Sequence, residues 1–237
     1  MCVVIAVLVA ISLPTVRGVL LKGRNTATLA NLRTHASAVT AYSTDNGDWT
    51  PVFLEPGYSS SLDADGITVD RLHYFDMHRV WHIPLARTYY GVEYSSPVFQ
   101  SPSDPQGYEM RSVFTVYSLA CVFFAKPAYW NPSTRLVGSS QFGSNRLSDV
   151  VYPSGKSFII ESHPFESLVT APSALRDARL PTATVDGSAR SLAMKDRLPG
   201  YERGDGYINQ SEGAVHYQDF PPLLHTLDGI RGRDRAN

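Results

Sequence analysis

His73, His78 and His82 fall in one segment, residues 71–90 (RLHYFDMHRVWHIPLARTYY). His78 and His82 are four positions apart and would share a helix face. Zinc favours that spacing in H-E-x-x-H, where a Glu follows the first histidine and acts as base. Here Arg79 follows His78 and no third ligand is implied, so the histidines are expected to be structural. Asp45, Asn46 and Asp48 offer clustered oxygens. A calcium loop, however, spreads its ligands over about 12 residues and closes on a bidentate Glu. Glu161, Asp186, Glu202 and Asp205 could serve glycoside hydrolysis, which needs two carboxyls at a set separation. Nothing in the sequence pairs them. No G-x-S-x-G elbow presents a serine nucleophile. Cys2 and Cys121 are the only cysteines, too few for a disulfide framework. Cys2 lies in an apolar run and Cys121 in an apolar stretch expected to be a strand, so both are expected as buried free thiols. Trp49, Trp81, Trp130 and the tyrosines could form a glycan-binding surface if exposed, but large aromatics are more often core. No catalytic, cofactor-binding or metal-ligating residue is therefore expected, and the chain does not read as an enzyme.

Composition narrows the partners. The formal net charge is −1, so nucleic acid has no electrostatic hold on the chain. The basic residues Arg231, Arg233 and Arg235 are interrupted by Asp228 and Asp234. Seventeen glycines, sixteen prolines and thirteen tyrosines predict a loop-rich domain of short strands. The length suits one domain plus an extended element. The expected division is 1–47, a long helix, and 48–237, an α+β domain.

The element that organises the chain is its beginning. Residues 2–13 (CVVIAVLVAISL) carry no charge. After Pro14 no proline occurs until Pro51. Leu29, Leu32, Ala36 and Val39 are spaced as one helical stripe. The whole reads as one helix of roughly 40 residues, about 60 Å long, with Asn31 and Thr26 on its polar face. The apolar run alone reaches about 18 Å, against a hydrocarbon core of about 30 Å. A membrane-anchoring helix is the leading reading. A secretory signal would want a basic region before the run and a small-x-small site after it. A buried core helix is the third alternative. Arg17, Lys22 and Arg24, taken alone, favour a cytoplasmic flank.

Asp45-Asn46-Gly47-Asp48 is the expected helix stop. Residues 49–66 read as loop. Within 71–90, Leu72, Phe75, Met77, Val80 and Trp81 make a helical face that breaks at Pro84. Residues 112–124 (SVFTVYSLACVFF) predict a central strand or a strand pair. Residues 156–161 predict a strand ending in Glu161. Asp186-Gly187 between apolar runs predicts a hairpin of 181–185 with 188–194. The tail is expected to pack irregularly to about Leu227 and then fray.

These patterns together resemble a known family. VVIAVLVAISLP followed by NLRTHASAVTAYSTDNGDWTP is similar to the N-terminal helix of type IV pilins and type II secretion pseudopilins, in particular prepilin-like proteins of planctomycete-type bacteria. Asn31, Leu32, Arg33, Ala38, Tyr42, Asp45, Asn46 and Pro51 fit the family pattern. Ser101-Pro102-Ser103-Asp104-Pro105 matches a loop in which the family has Cys at the first position, and there a strand precedes the loop. Arg146-Leu147-Ser148-Asp149-Val150 and the Asp186-Gly187 hairpin are further matches, with Arg176 where the family has a histidine. The family's basic leader, peptidase site and Phe-Thr-Leu-x-Glu start are not found, so a truncated member or one that cannot be processed is expected. No residue can be assigned leader cleavage or N-methylation. The resemblance implies a long helix packed on a small antiparallel sheet. It also implies a structural subunit anchored in the inner membrane as a single-pass protein, its domain periplasmic or extracellular. Its partners would be other pilin-like subunits, met through the N-terminal helix, and the membrane. A ligand- or glycan-binding module without catalysis is the alternative.

Overall fold

The computed structural model describes residues 2–56, 60–64, 66–102, 113–136, 138–161, 179–201 and 222–235, with side chains from Val16 onward except Arg17 and Met194. Helix α1 (Cys2–Asp45) is continuous over 44 residues, a length of about 66 Å. It ends where the sequence predicts. Gly47 and Asp48 take φ of +64° and +71°, the left-handed region in which a helix unwinds. The Asp48 amide donates to the Ser43 carbonyl at 2.7 Å, and the Asn46 side chain donates to the Tyr42 carbonyl at 2.8 Å.

The stripe Leu32, Ala36 and Val39 is buried, with Leu29 partly so. Thr28, His35 and Ser43 are buried beside it. Asn31 is not on a wholly polar face: half-buried, it donates to the Tyr117 hydroxyl at 3.3 Å.

α1 lies across a four-stranded antiparallel sheet, in the order β3 (Tyr117–Leu119), β4 (Ser157–Glu161), β5 (Arg179–Thr184), β6 (Ala189–Ala193). It contacts β4, β5 and β6. β5 and β6 form the hairpin expected around Asp186-Gly187, with Gly187 at φ +80°. β4 is buried along its whole length, because both faces of the sheet are covered; a strand so placed reads as a continuous apolar run. Tyr117 pairs with Glu161, and the Tyr117–Asn31 bond shows that this face carries α1. The opposite face carries Phe158, whose ring lies 5.0 Å from that of Phe123.

Several expectations are corrected. Residues 49–66 are not all loop: β1 (Ser60–Ala64) and β2 (Ile67–Leu72) form a separate antiparallel hairpin, turning at Gly66 with φ +78°. The strong β signal of 112–124 yields one short edge strand, β3, and then a 3-10 turn, Cys121–Phe123. Those side chains are apolar because they fill the core from a turn, so burial rather than strand pairing set their composition. Cys121 thus sits in that turn and not in a strand. Pro97–Phe99 is a 3-10 turn rather than a strand, and Ser103 to Pro105 lie outside the described residues, as does Arg176. The helical face of 71–90 is buried as expected, but the regular helix is only α2 (Met77–Val80), flanked by a 3-10 turn and a π turn (Ala86–Tyr90).

The expected fraying after Leu227 does not occur. Gly229–Arg231 forms a 3-10 turn and Ile230 and Asp234 are buried. Asp234 is held because it faces Lys156, a buried cation, at 3.6 Å. Lys156 also donates to the Gly229 carbonyl at 2.9 Å. The segment closes tightly: a Cβ on Gly232 would stand 1.9 Å from the Leu227 carbonyl oxygen. Beneath it lies an aromatic cluster of Tyr74, Phe75, Tyr129, Trp130 and Phe142, its ring centroids as close as 4.6 Å.

Candidate functional site at the free end of the long helix

α1 is two things along its length. From Asn25 onward its side chains reach the domain: Asn25 accepts from the Ser191 hydroxyl at 3.2 Å, and Arg33 donates to the Ala189 carbonyl at 3.4 Å. Among the described side chains before Asn25, from Val16 to Arg24, the helix stands clear. Val16, Val19, Leu20 and Leu21 are 53%, 64%, 56% and 47% exposed. A Cβ added at Gly18 or Gly23 would meet nothing within 4 Å. Adjacent large aliphatic side chains in water are costly, at about 25 cal/mol per Å² of apolar surface. A contiguous exposed apolar patch is the mark of a surface that something else covers. Among the described residues no helix is long and apolar enough to cross a membrane; the run 2–13 precedes the described side chains.

The docked half of α1 is fixed by a polar seam. His35 is fully buried among the rings of Trp81, Tyr90, Phe99 and Tyr117, with its Nδ1 2.9 Å from the Tyr90 hydroxyl. Burial, reinforced by nearby His82, lowers its pKa to about 3, so the imidazole is neutral at physiological pH. Tyr117 links Asn31 to the Gln100 carbonyl, to which its hydroxyl donates at 3.2 Å. Ser101 donates to the Glu161 carboxylate within the buried layer. These groups hold the helix at one height on the sheet. His35 was not singled out from sequence, although it lies three positions after Leu32 and four before Val39, on the buried stripe.

The residues with chemical potential in the sequence are dispersed. His78 and His82 are both buried, their pKa values lowered by burial to about 4 and about 3. His78 Nδ1 lies 2.6 Å from the Phe75 carbonyl oxygen, and His82 packs against Phe99. The His73 amide donates to Asp76 at 2.8 Å. Among the described residues no three of His, Cys, Asp and Glu come together as a metal site.

The carboxylates work locally. Asp45 accepts from the Tyr89 hydroxyl at 3.1 Å, and Asp48 accepts from the Ser148 amide at 2.9 Å. Asp186 accepts from the Ser188 amide at 3.0 Å within its turn. That turn lies beside Pro153 and Lys156, at the opposite end of β4 from Glu161. Glu202 and Asp205 lie outside the described residues.

Cys121 is a buried free thiol whose pKa burial pushes up, and the Cys2 side chain lies outside the described residues. Trp81 and Trp130 are buried, but Trp49 is not. Its ring is instead covered by Lys126 Nζ at 5.2 Å and the Arg146 guanidinium at 4.9 Å from the centroid.

The chain matches no family model, and neither a curated protein nor a solved structure is similar to it.

Proposed function

We propose that the chain is a pseudopilin-like structural subunit of a type II secretion or type IV pilus-like assembly. The start of α1 anchors it in the inner membrane and its α+β domain stands on the periplasmic or extracellular side. The observation that carries this reading is the change of character along one helix: Leu32, Ala36 and Val39 are buried on the domain's own sheet, while Val16, Val19, Leu20 and Leu21 face outward. One rod thus offers an apolar end to lipid and to the matching ends of neighbouring copies. A glycan-binding module has less support, since Trp81 and Trp130 are buried and cations already cover Trp49.

The test is membrane extraction and crosslinking of the full chain carrying Val19→Cys. The expected result is a carbonate-resistant membrane protein that forms oxidised dimers through position 19, with Trp49→Cys labelled from the periplasmic side. Release by carbonate as an uncrosslinked species, or labelling only from the cytoplasm, overturns the reading.

A further inference from the structure

A cavity of about 250 Å³ opens beside β6, lined by Arg179, Arg190, Arg197 and Arg235, with Ser191 and a single carboxylate, Asp196. Four guanidiniums drawn from separate segments face one small space. Arg179 comes from the start of β5, Arg190 from β6, and Arg197 and Arg235 from two segments joined by a backbone bridge. Two of them are held by hydrogen bonds within the domain. Arg179 donates to the Ser191 carbonyl at 2.7 Å and Arg190 to the Ser188 hydroxyl at 3.2 Å. Each guanidinium carries five N–H donors, so both keep donors to spare. Four cations against one lining carboxylate leave the cavity basic, and a bound anion lowers their mutual repulsion. Asp186 and Asp234 stand near Arg190 and Arg197 and offset part of their charge, while Asp196 is the one carboxylate among the residues that line the cavity.

The cavity also has a definite place relative to α1. Ala189, at the start of β6, meets Arg33, and Ser191 meets Asn25. β6 therefore runs toward the free end of the helix, and its last residues form the cavity wall. Lys22 and Arg24, both exposed, lie on the adjacent turn of α1. The basic cavity thus lies on the side of the domain toward the apolar end of the rod.

We propose that this cavity is an anion site for a phosphate ester of headgroup size. Arginine forks match phosphate oxygens in bidentate geometry. The volume is a little below the roughly 300 Å³ at which sites for drug-sized ligands begin, which suits a small polar group. That the phosphate belongs to an anionic lipid rests on the membrane-anchored reading; the recognition of phosphate does not.

The experiment compares the full chain with an Arg179→Gln/Arg235→Gln variant in two arms. One titrates sn-glycerol 3-phosphate into protein held in a neutral detergent. The other measures flotation with vesicles of phosphatidylcholine alone or mixed with phosphatidylglycerol. Loss of two charged hydrogen-bond donors is expected to weaken glycerol phosphate binding by tenfold or more. It is also expected to abolish the preference for phosphatidylglycerol, with flotation on pure phosphatidylcholine unchanged. Glycerol phosphate binding without a phosphatidylglycerol preference supports the anion site and overturns its lipid source. No binding to glycerol phosphate by the unaltered chain, or equal binding by the variant, overturns the site. Failure of the unaltered chain to float on phosphatidylcholine counts against the membrane anchor alone and leaves the soluble arm to decide the site. If the double variant melts early, Arg190→Gln and the salt dependence of the unaltered chain decide: affinity that ignores both overturns the proposal.

Discussion

Lys156 sits just before the inner strand β4, fully buried. Burial lowers its pKa to about 8, while Asp234 opposes the shift. The same burial raises the carboxyl of Asp234, which Lys156 and its hydrogen bonds from Thr226 and Ser157 pull back down. Each charge offsets much of the other's burial cost. Lys156→Met is therefore expected to cost about 3–5 kcal/mol, since it strands a buried carboxylate. Lys156→Met combined with Asp234→Leu is expected to recover much of that loss. Urea unfolding of the single and double variants measures both; a double variant no better than the single one refutes the coupling. No sequence pattern announced this pair. Lys156 reads as the first residue of an expected strand and Asp234 as part of a charged tail. Their partnership is written only in the three-dimensional path of the chain.

At the scale of elements, the two halves of α1 should respond oppositely to substitution. Leu32→Ala empties a fully buried position and is expected to cost about 2–5 kcal/mol. Val19→Ser removes an exposed side chain and is expected to change stability by less than about 0.5 kcal/mol, while reducing membrane retention of the full chain. Thermal melts and fractionation of both variants separate the two roles. A stability loss at Val19 like that at Leu32 would mean that the free end is packed after all.

The helix, its stop at Asn46-Gly47, the strand into Glu161 and the Asp186-Gly187 hairpin were legible in the sequence. Each rests on local rules: period, cap and turn chemistry. The β1–β2 hairpin was not, because its polar residues, such as Ser61, Asp63 and Asp70, look like loop. Two hydrogen bonds across the pair, Ser61 to Asp70 at 2.7 Å and Thr68 to Asp63 at 2.5 Å, hold what apolar alternation does not mark. The run 112–124 misled for the converse reason: its composition reports burial, and burial was reached by a turn. The basic cavity went unseen because its arginines lie far apart in the chain and only the fold converges them.

At the scale of the whole molecule, the four histidines buried among the described residues shape the response to acid. His35, His82 and His225 have pKa values lowered to about 3, and His78 to about 4, each chiefly by burial. In the unfolded chain each would titrate near its ordinary value of about 6.5. Below that pH the unfolded state binds protons that the folded state refuses, so stability falls as pH falls. The loss opens near pH 6.5 and continues to about pH 3–4. At pH 5 each histidine contributes on the order of 1–2 kcal/mol of destabilisation. Urea midpoints taken from pH 7.5 down to pH 5 are expected to drop steeply, and a flat profile would refute the burial of these rings in the neutral form.

The union of Ser157 with Asp234 spans 77 residues of chain. A ribosome adding about 5–20 residues per second takes roughly 4–15 s to cover that distance. Throughout that interval the inner strand β4 has Lys156 before it and not yet Asp234 to seat it. Until Asp234 has been made, Lys156 lacks the carboxylate that offsets its burial, so closing the sheet around it is unfavourable.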